Sequence, residues 1–278
     1  MIVNYASPRS VLHVSDRRVT AARSNQKPSV HSPVENKTII FLTRDAVGVM
    51  GYTGSAYIGD TPTDQWLAET LAPRAKMPNG DRFAVSVGGG RSLRLNVLMW
   101  RLREALKSAR FPPGARMISV SVAGYRIRRK YCVPFYMEIS WPPSWKQSLF
   151  HMRMPSNKSQ RILLAQVGAE MPFDELTQHV KKEMEAARSG DNAVILKGLT
   201  QAVRAKASAT PLVGSDLMTV EIPNPNISQT ITWRFEPIVQ HTAQIVGPGV
   251  NIPFEAIYSP WIITPGATYA PSIGTGHF

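Results

Sequence analysis

The chain has 278 residues, of which 43% are hydrophobic and 18% charged, a composition typical of a globular protein with a sizeable core and unlike that of a disordered chain. It contains no run of about 18 consecutive apolar residues, as a membrane span requires, and its first ten residues lack the basic-then-apolar order of a secretory signal, so we expect a cytoplasmic protein with no membrane partner. The single cysteine, Cys132, excludes an internal disulfide, and the six scattered histidines disfavour a zinc site, so we expect neither metal nor cofactor.

Paired strands are predicted in the first part of the chain. Residues 2–5 and 11–14 flank a Ser-Pro turn and form a hairpin that ends at Asp16, and residues 37–41 and 47–52 form a second pair. Two helices are predicted next. One starts at Thr61-Pro62, because Pro suits the first helical position, and one runs from Ser92 to about Arg110, where leucines recur every three or four residues.

The later part of the chain repeats this order, a group of strands followed by a pair of helices. Strands are predicted at 117–124, 133–140, 163–167, 218–222 and 231–235. A helix begins near Pro172, with an apolar stripe through Phe173, Leu176, Val180 and Met184, and ends at Gly190, and another begins at Asp191. Clustered strands followed by helix pairs favour an α+β fold in which two antiparallel sheets lie between helical layers, a four-layer αββα sandwich. We expect one domain over 1–222 and an irregular Pro/Gly-rich extension over 223–278.

Five segments carry a family resemblance when they are taken in order: residues 14–20, 36–39, 52–56, the strand pair 121–125 with 135–138, and 213–217. These segments resemble the proteasome subunit family of N-terminal nucleophile (Ntn) hydrolases. Together they span roughly residues 1–222. The resemblance implies the four-layer sandwich fold and self-association into a homo-oligomer.

The resemblance also implies a catalytic centre. In the family, an N-terminal Thr, Ser or Cys attacks a peptide or protein substrate and its own α-amine acts as the base, since an α-amino pKa lies close to neutral pH. Asp16 matches the family's buried acid, Lys37 its lysine, and Gly54 the turn glycine whose N–H stabilises an oxyanion. The nucleophile has no match, because the chain begins Met1-Ile2.

Two functions follow from that pattern. The first is a non-catalytic or divergent structural or assembly subunit, in which Asp16 and Lys37 remain as a buried ion pair. The alternative is an active peptidase or amidohydrolase whose terminus is created by processing, or which uses the hydroxyl of Ser7, Ser10 or Ser15 as a substitute nucleophile. Asp16 also fits a plain strand-end turn, and Gly54 a plain turn glycine.

A third function, from a different class, is indicated by the charge of the chain. The formal net charge is +13, and residues 91–130 contain eleven basic residues but a single acid, Glu104. Such a concentration of positive charge attracts nucleic acid or another polyanion, for which the side chains expected in a hairpin loop are Arg126, Arg128, Arg129 and Lys130. The alternative interpretation is a solvated helix face followed by a charged hairpin loop.

Overall fold

The fold is taken from a computed structural model, which describes residues 1–21, 29–32, 36–71, 93–111, 117–129, 131–141, 151–153, 162–169, 171–228, 230–236, 239–244, 261–264 and 267–269.

The first sheet has six strands, all paired antiparallel. In spatial order they are β12 (Leu163–Val167), β1 (Ile2–Ala6), β2 (Ser10–Asp16), β13 (Leu217–Pro223), β14 (Thr230–Glu236) and β15 (Val239–Gln244). The predicted hairpin of β1 and β2 is present, and its turn is closed by the hydroxyl of Ser7, which accepts the backbone N–H groups of Arg9 and Ser10 at 3.2 Å each.

The second sheet has seven strands. In spatial order they are β11 (His151–Arg153), β10 (Cys132–Trp141), β9 (Ile118–Ile127), β6 (Ala46–Gly54), β5 (Thr38–Leu42), β16 (Trp261–Thr264) and β17 (Ala267–Tyr269). The pairing of β16 with β5 is parallel, whereas the other pairs are antiparallel. Two short hairpins, β3 (Val19–Ala21) with β4 (Ser29–Ser32) and β7 (Tyr57–Ile58) with β8 (Thr61–Pro62), lie outside these sheets.

Two helical layers enclose the sheets. Helices α1 (Thr63–Leu71) and α2 (Leu95–Ser108) pack on the second sheet, and helices α3 (Phe173–Ala187) and α4 (Asn192–Ala209) pack on the first. One apolar core lies between each sheet and its helices. A third, with Tyr125 and Trp233 fully buried, fills the space between the sheets. The predicted four-layer αββα sandwich of the α+β class is therefore confirmed. None of the helices that the structure describes is long and apolar enough to cross a membrane.

Helices α1 and α2, which cover the second sheet, both begin later in the sequence than predicted. Thr61 and Pro62 form strand β8, and α1 begins at Thr63, whose N–H donates to the carbonyl of Ala56 at 2.9 Å. Helix α2 begins at Leu95, and its N–H donates to the carboxylate of Asp45 at 2.8 Å. The acceptor for the first N–H of α2 therefore comes from a distant turn, and Ser92, the predicted start of this helix, lies outside the described residues.

Helix α3 also differs from its predicted pattern. It ends at Ala187, and the left-handed residue that follows is Arg188, with φ of 49°, rather than Gly190. Leu176 and Val180 are buried as expected, but Phe173 is 56% exposed. The inward stripe of α3 is thus shorter than its sequence indicates.

The range 223–278, expected to be irregular, contributes strands to both sheets. Strands β14 and β15 extend the first sheet, and β16 and β17 extend the second. Trp233 of β14 is fully buried between the sheets. Strand β14 agrees with the strand predicted at 231–235, and its buried side chains complete the core between the sheets. The expected irregularity is corrected for β15, β16 and β17, whose backbones pair with neighbouring strands of the two sheets. The division of the chain at residue 222 stays a prediction.

Candidate functional site

The carboxylate of Asp16 is the centre of a buried polar cluster at the end of β2. Asp16 has no exposed surface. It accepts hydrogen bonds from the α-amino group of Met1, from Lys37 Nζ at 3.0 Å, and from the backbone N–H groups of Arg18 and Gly214 at 3.0 and 3.2 Å. Four donors therefore surround the two carboxylate oxygens, and the predicted contact between Asp16 and Lys37 is present.

The fold brings these groups together from both sheets. Met1 directly precedes β1 and lies beside Asp16, whose backbone N–H donates to the Met1 carbonyl at 3.1 Å. Leu217 of β13 pairs with Asp16 on its other side, while Lys37 directly precedes β5 in the second sheet. The Asp16–Lys37 ion pair consequently bridges the two sheets, which no local sequence pattern reveals.

Burial and charge act against each other at this cluster. Burial acts to raise the pKa of Asp16, but the charges of Lys37 and of the Met1 amine, with their hydrogen bonds, hold it below its usual range. Burial lowers the pKa of the Met1 α-amine, and the charge of Lys37 lowers it further, against the opposing effect of Asp16. The cluster therefore holds an ionised carboxylate beside Lys37 and beside an α-amine that loses its proton more readily than an ordinary terminus.

Access to this amine is closed. The Met1 side chain is buried and packs in the core between the first sheet and helices α3 and α4, together with Val3 and Met171. Lys37 retains 10% of its side-chain exposure. A substrate carbonyl could reach the amine only if the Met1 side chain and its neighbours moved.

A second polar cluster runs between the sheets next to Asp16. The Ser15 and Thr38 hydroxyls lie 3.0 Å apart, Thr38 Oγ1 lies 3.1 Å from His13 Nε2, and His13 Nδ1 lies 2.8 Å from Asn4 Oδ1. Asn4 Nδ2 then donates to the Ser121 hydroxyl at 3.3 Å. All five side chains are buried.

The direction of this hydrogen-bond chain follows from one group. An amide oxygen can only accept, so His13 Nδ1 carries the proton and Nε2 accepts from Thr38, which in turn accepts from Ser15. Burial lowers the pKa of His13 to about 3, so the ring is neutral. The pairing of a hydroxyl with a neutral imidazole is that of an activated nucleophile, but Thr38 and His13 have no exposed surface.

Sequence reasoning missed the His13 chain, although a signal was present. In β2, His13 and Ser15 alternate with Leu12 and Val14, which pack on the helices. Polar residues at the positions that face a second sheet indicate a buried hydrogen-bond network rather than a solvated face.

The three hydroxyls considered as substitute nucleophiles have structural partners. Ser7 Oγ donates to the Ser10 carbonyl at 3.1 Å, Ser10 Oγ donates to Asn192 Oδ1 at 2.7 Å, and Ser15 bonds to Thr38. Each of the three serines is buried.

Gly54 ends β6 and is exposed. Its φ is +102°, and an added Cβ would lie 2.0 Å from the carbonyl oxygen of Met117. The N–H of the next residue, Ser55, donates to that same carbonyl at 3.2 Å. The close approach of the two strands therefore explains the glycine by itself, and its role at an oxyanion stays a prediction.

The loop proposed for polyanion binding is the turn between β9 and β10. Arg128 and Arg129 are exposed in this turn, whereas Arg126 is half-buried and lies 4.0 Å from Asp45. Lys130 lies outside the described residues. The structure thus separates one arginine of the predicted set, which has a carboxylate partner, from two that face solvent.

Fold and cluster together define an α+β protein of the four-layer αββα class with a closed, charged centre at the start of its first strand. No family model matches the chain, and no curated protein matches it. Similar solved structures include Anbu from Hyphomicrobium sp. strain MC1 and Anbu (ancestral beta-subunit) from Yersinia bercovieri. Each has 11% sequence identity and a TM-score of 0.46, with 80% of this chain and 81% of the other covered.

These findings correct the family resemblance drawn from the five sequence segments. No family model supports it, and a TM-score of 0.46 at 11% identity does not assign the chain to the proteasome subunit family. The catalytic or supporting roles that the resemblance implied for Asp16, Lys37 and Gly54 therefore stay predictions.

Proposed function

We propose that the chain is a non-catalytic structural subunit that associates with further copies of itself, and that the Asp16 cluster stabilises its fold instead of performing chemistry. The observation that carries the proposal is the closure of the cluster. Asp16 is fully buried and accepts four hydrogen bonds, and Met1 is buried together with its α-amine.

The energetics of buried ions support a stabilising role. Removing one partner of a buried pair costs about 3–5 kcal/mol, because the other charge is left uncompensated. Asp16 connects Met1 and β2 of the first sheet to Lys37 of the second. Moving either sheet away from the other would therefore break the ion pair and destabilise the fold.

Exposed apolar side chains on both helical layers support self-association. Trp100 is 61% exposed on α2 next to the exposed Val97, and Phe173 and Met184 are exposed on α3. Large exposed aromatic residues are the side chains that most often anchor protein interfaces.

The charges near these side chains favour contact between the two layers of different copies. The exposed face of α2 includes the basic residues Arg103 and Lys107, which share the single carboxylate of Glu104 and so leave a net positive charge. The first turn of α3 includes the exposed acidic residues Asp174 and Glu175. Surfaces of opposite charge on opposite layers of one chain are complementary in a head-to-tail arrangement.

Mass photometry at micromolar concentration tests the proposal. We expect oligomers of the native chain, and a shift towards monomer for Trp100→Glu and for Phe173→Glu. Ile227→Glu is the matched control, since Ile227 is also exposed but lies on neither helical layer. In a head-to-tail assembly, a mixture of the two helix variants forms dimers that do not grow further. A native chain that is strictly monomeric would contradict the proposal.

The identity of the N-terminal residue and an activity assay distinguish the catalytic alternative from the structural subunit. Intact mass and N-terminal sequencing of the natural protein, with an assay for amide hydrolysis, are expected to show a terminus at Met1 and no turnover. A new Thr, Ser or Cys terminus with hydrolysis would replace the proposal by a processed peptidase or amidohydrolase.

A further inference from the structure

Five arginines from three separate parts of the chain converge at one end of the second sheet. They surround the turn between β5 and β6 and are Arg44, Arg94, Arg126, Arg128 and Arg129. We call this set the arginine cluster. Its members are up to 85 residues apart in sequence, so the cluster exists only in the folded chain.

Backbone hydrogen bonds hold the three segments together. The N–H of Arg44 donates to the carbonyl of Leu93 at 2.8 Å, which places the turn against the start of α2. The N–H of Ile127 donates to the carbonyl of Asp45 at 2.7 Å, which places the same turn against the end of β9. The positions of the five arginine backbones are thus fixed by the fold.

One carboxylate, that of Asp45, lies among these arginines and already has partners. It accepts the N–H of Leu95 at 2.8 Å and the hydroxyl of Thr43 at 3.3 Å, and it lies 4.0 Å from Arg126. Within the described part of the chain, this is the one ion pair that any member of the cluster makes.

The other four arginines are exposed to solvent. Like charges held together by a rigid backbone repel one another, and a ligand with several negative charges relieves that repulsion. A guanidinium group binds phosphate through two parallel hydrogen bonds and keeps its charge at any physiological pH.

An aromatic side chain lies in the same turn. Tyr131 is 57% exposed, and its carbonyl accepts the N–H of Arg128 at 2.9 Å, which closes the turn between β9 and β10. Positive charge along a phosphate backbone combined with an aromatic surface for an unstacked base is the arrangement that binds single strands without sequence preference.

We propose that the arginine cluster binds the sugar-phosphate backbone of single-stranded nucleic acid through Arg44, Arg94, Arg128 and Arg129, and that Tyr131 stacks on a base. Arg126 stays with Asp45 and sets the position of the hairpin. Arg94 directly precedes α2, on which Val97 and Trp100 are exposed, so this site adjoins the α2 surface proposed for self-association. The two functions are therefore separated by measuring assembly and binding on the same variants.

Fluorescence anisotropy with labelled oligo(U) and oligo(dT) tests the site. Each phosphate neutralised on a single strand contributes about −0.7 to the slope of log K against log salt, so four contacts predict a slope of about −3. Arg128→Ala with Arg129→Ala is expected to reduce the slope to about half. Arg44→Ala with Arg94→Ala should do the same, and this result distinguishes the folded cluster from the hairpin alone.

A matched control and the aromatic residue complete the test. Lys181→Ala with Lys182→Ala removes the same charge from exposed positions on α3 and should leave the slope unchanged. Tyr131→Ala should weaken binding about tenfold at constant slope, since stacking carries no charge. Mass photometry of each variant, compared with the native chain, shows whether an effect on binding arises from a change in assembly.

Several outcomes would overturn the proposal. These are no binding at low salt, an equal loss in the Lys181/Lys182 control, and binding of anionic lipid vesicles or heparin that matches oligo(U) with no effect of Tyr131→Ala. The last result would mean that charge alone is recognised and that no base is bound.

Discussion

Replacing Asp16 by Ala would leave the Lys37 ammonium and the Met1 α-amine without their shared carboxylate. Asp16 accepts from the Met1 amine, from Lys37 and from two backbone N–H groups. We expect Asp16→Ala to lower the free energy of unfolding by about 3–5 kcal/mol, the cost of an uncompensated buried charge. That loss is a large fraction of the roughly 5–15 kcal/mol by which a protein is stable.

Replacing Lys37 is expected to cost less. In Lys37→Ala the carboxylate keeps the Met1 amine and the backbone N–H groups, and the Lys37 ammonium is the more accessible partner. We expect a loss of about 1.5–3 kcal/mol, the range for a lost hydrogen bond to a charged group. Lys37→Met should be milder than Lys37→Ala, because it retains a side chain that packs along the same path.

The double variant gives the decisive result. Once Asp16 is absent, Lys37 has lost this partner, so Asp16→Ala with Lys37→Ala should cost less than the sum of the single variants by about 1 kcal/mol or more. Urea unfolding followed by circular dichroism at pH 7 measures all four free energies. Additive losses within about 0.5 kcal/mol, or a larger loss for Lys37→Ala than for Asp16→Ala, would refute the coupling between the two side chains.

Two further predictions concern buried groups outside the Asp16 cluster. His13 has a folded pKa of about 3, whereas an unfolded histidine titrates near 6.5, so the unfolded chain binds the proton first. The free energy of unfolding should therefore fall by up to about 1.4 kcal/mol per pH unit as the pH drops from 6.5 towards 3, and the fall should be shallower in His13→Gln; equal slopes would contradict this assignment. Gly198→Ala should destabilise by about 1–3 kcal/mol, since its Cβ would lie 2.8 Å from Val180 Cα in α3. Gly190→Ala, whose Cβ meets a flexible Met184 methyl at 3.4 Å, is the matched control in thermal unfolding.

Much of the fold could be predicted from the sequence because its elements are marked locally. The hairpin of β1 and β2 is marked by short apolar runs on either side of a turn, and α4 by an apolar stripe whose main members, Ile195 and Leu199, are buried. Layering then follows from the order of strand clusters and helix pairs. These signals require only neighbours in the sequence.

Features that depend on distant residues could not be predicted in the same way. The start of α2 is set by Asp45, which lies 50 residues earlier in the chain. The end of α3 at Arg188 is local, but a left-handed arginine stands where a glycine was expected. The contact between Asp16 and Lys37 was expected only from a resemblance that the comparisons do not uphold, yet the fold forms it. The arginine cluster likewise arises from backbone contacts between separate segments, so a count of charges along residues 91–130 could not include Arg44.

The parallel pairing of β16 with β5 determines when the second sheet can be completed. Trp261 lies opposite Ile39, so this edge of β5 stays open while more than two hundred intervening residues are synthesised. Contacts of such large sequence separation slow folding, and an open strand edge is a template for pairing with other chains. During translation, this edge of β5 is therefore open to pairing with other chains until β16 has been synthesised.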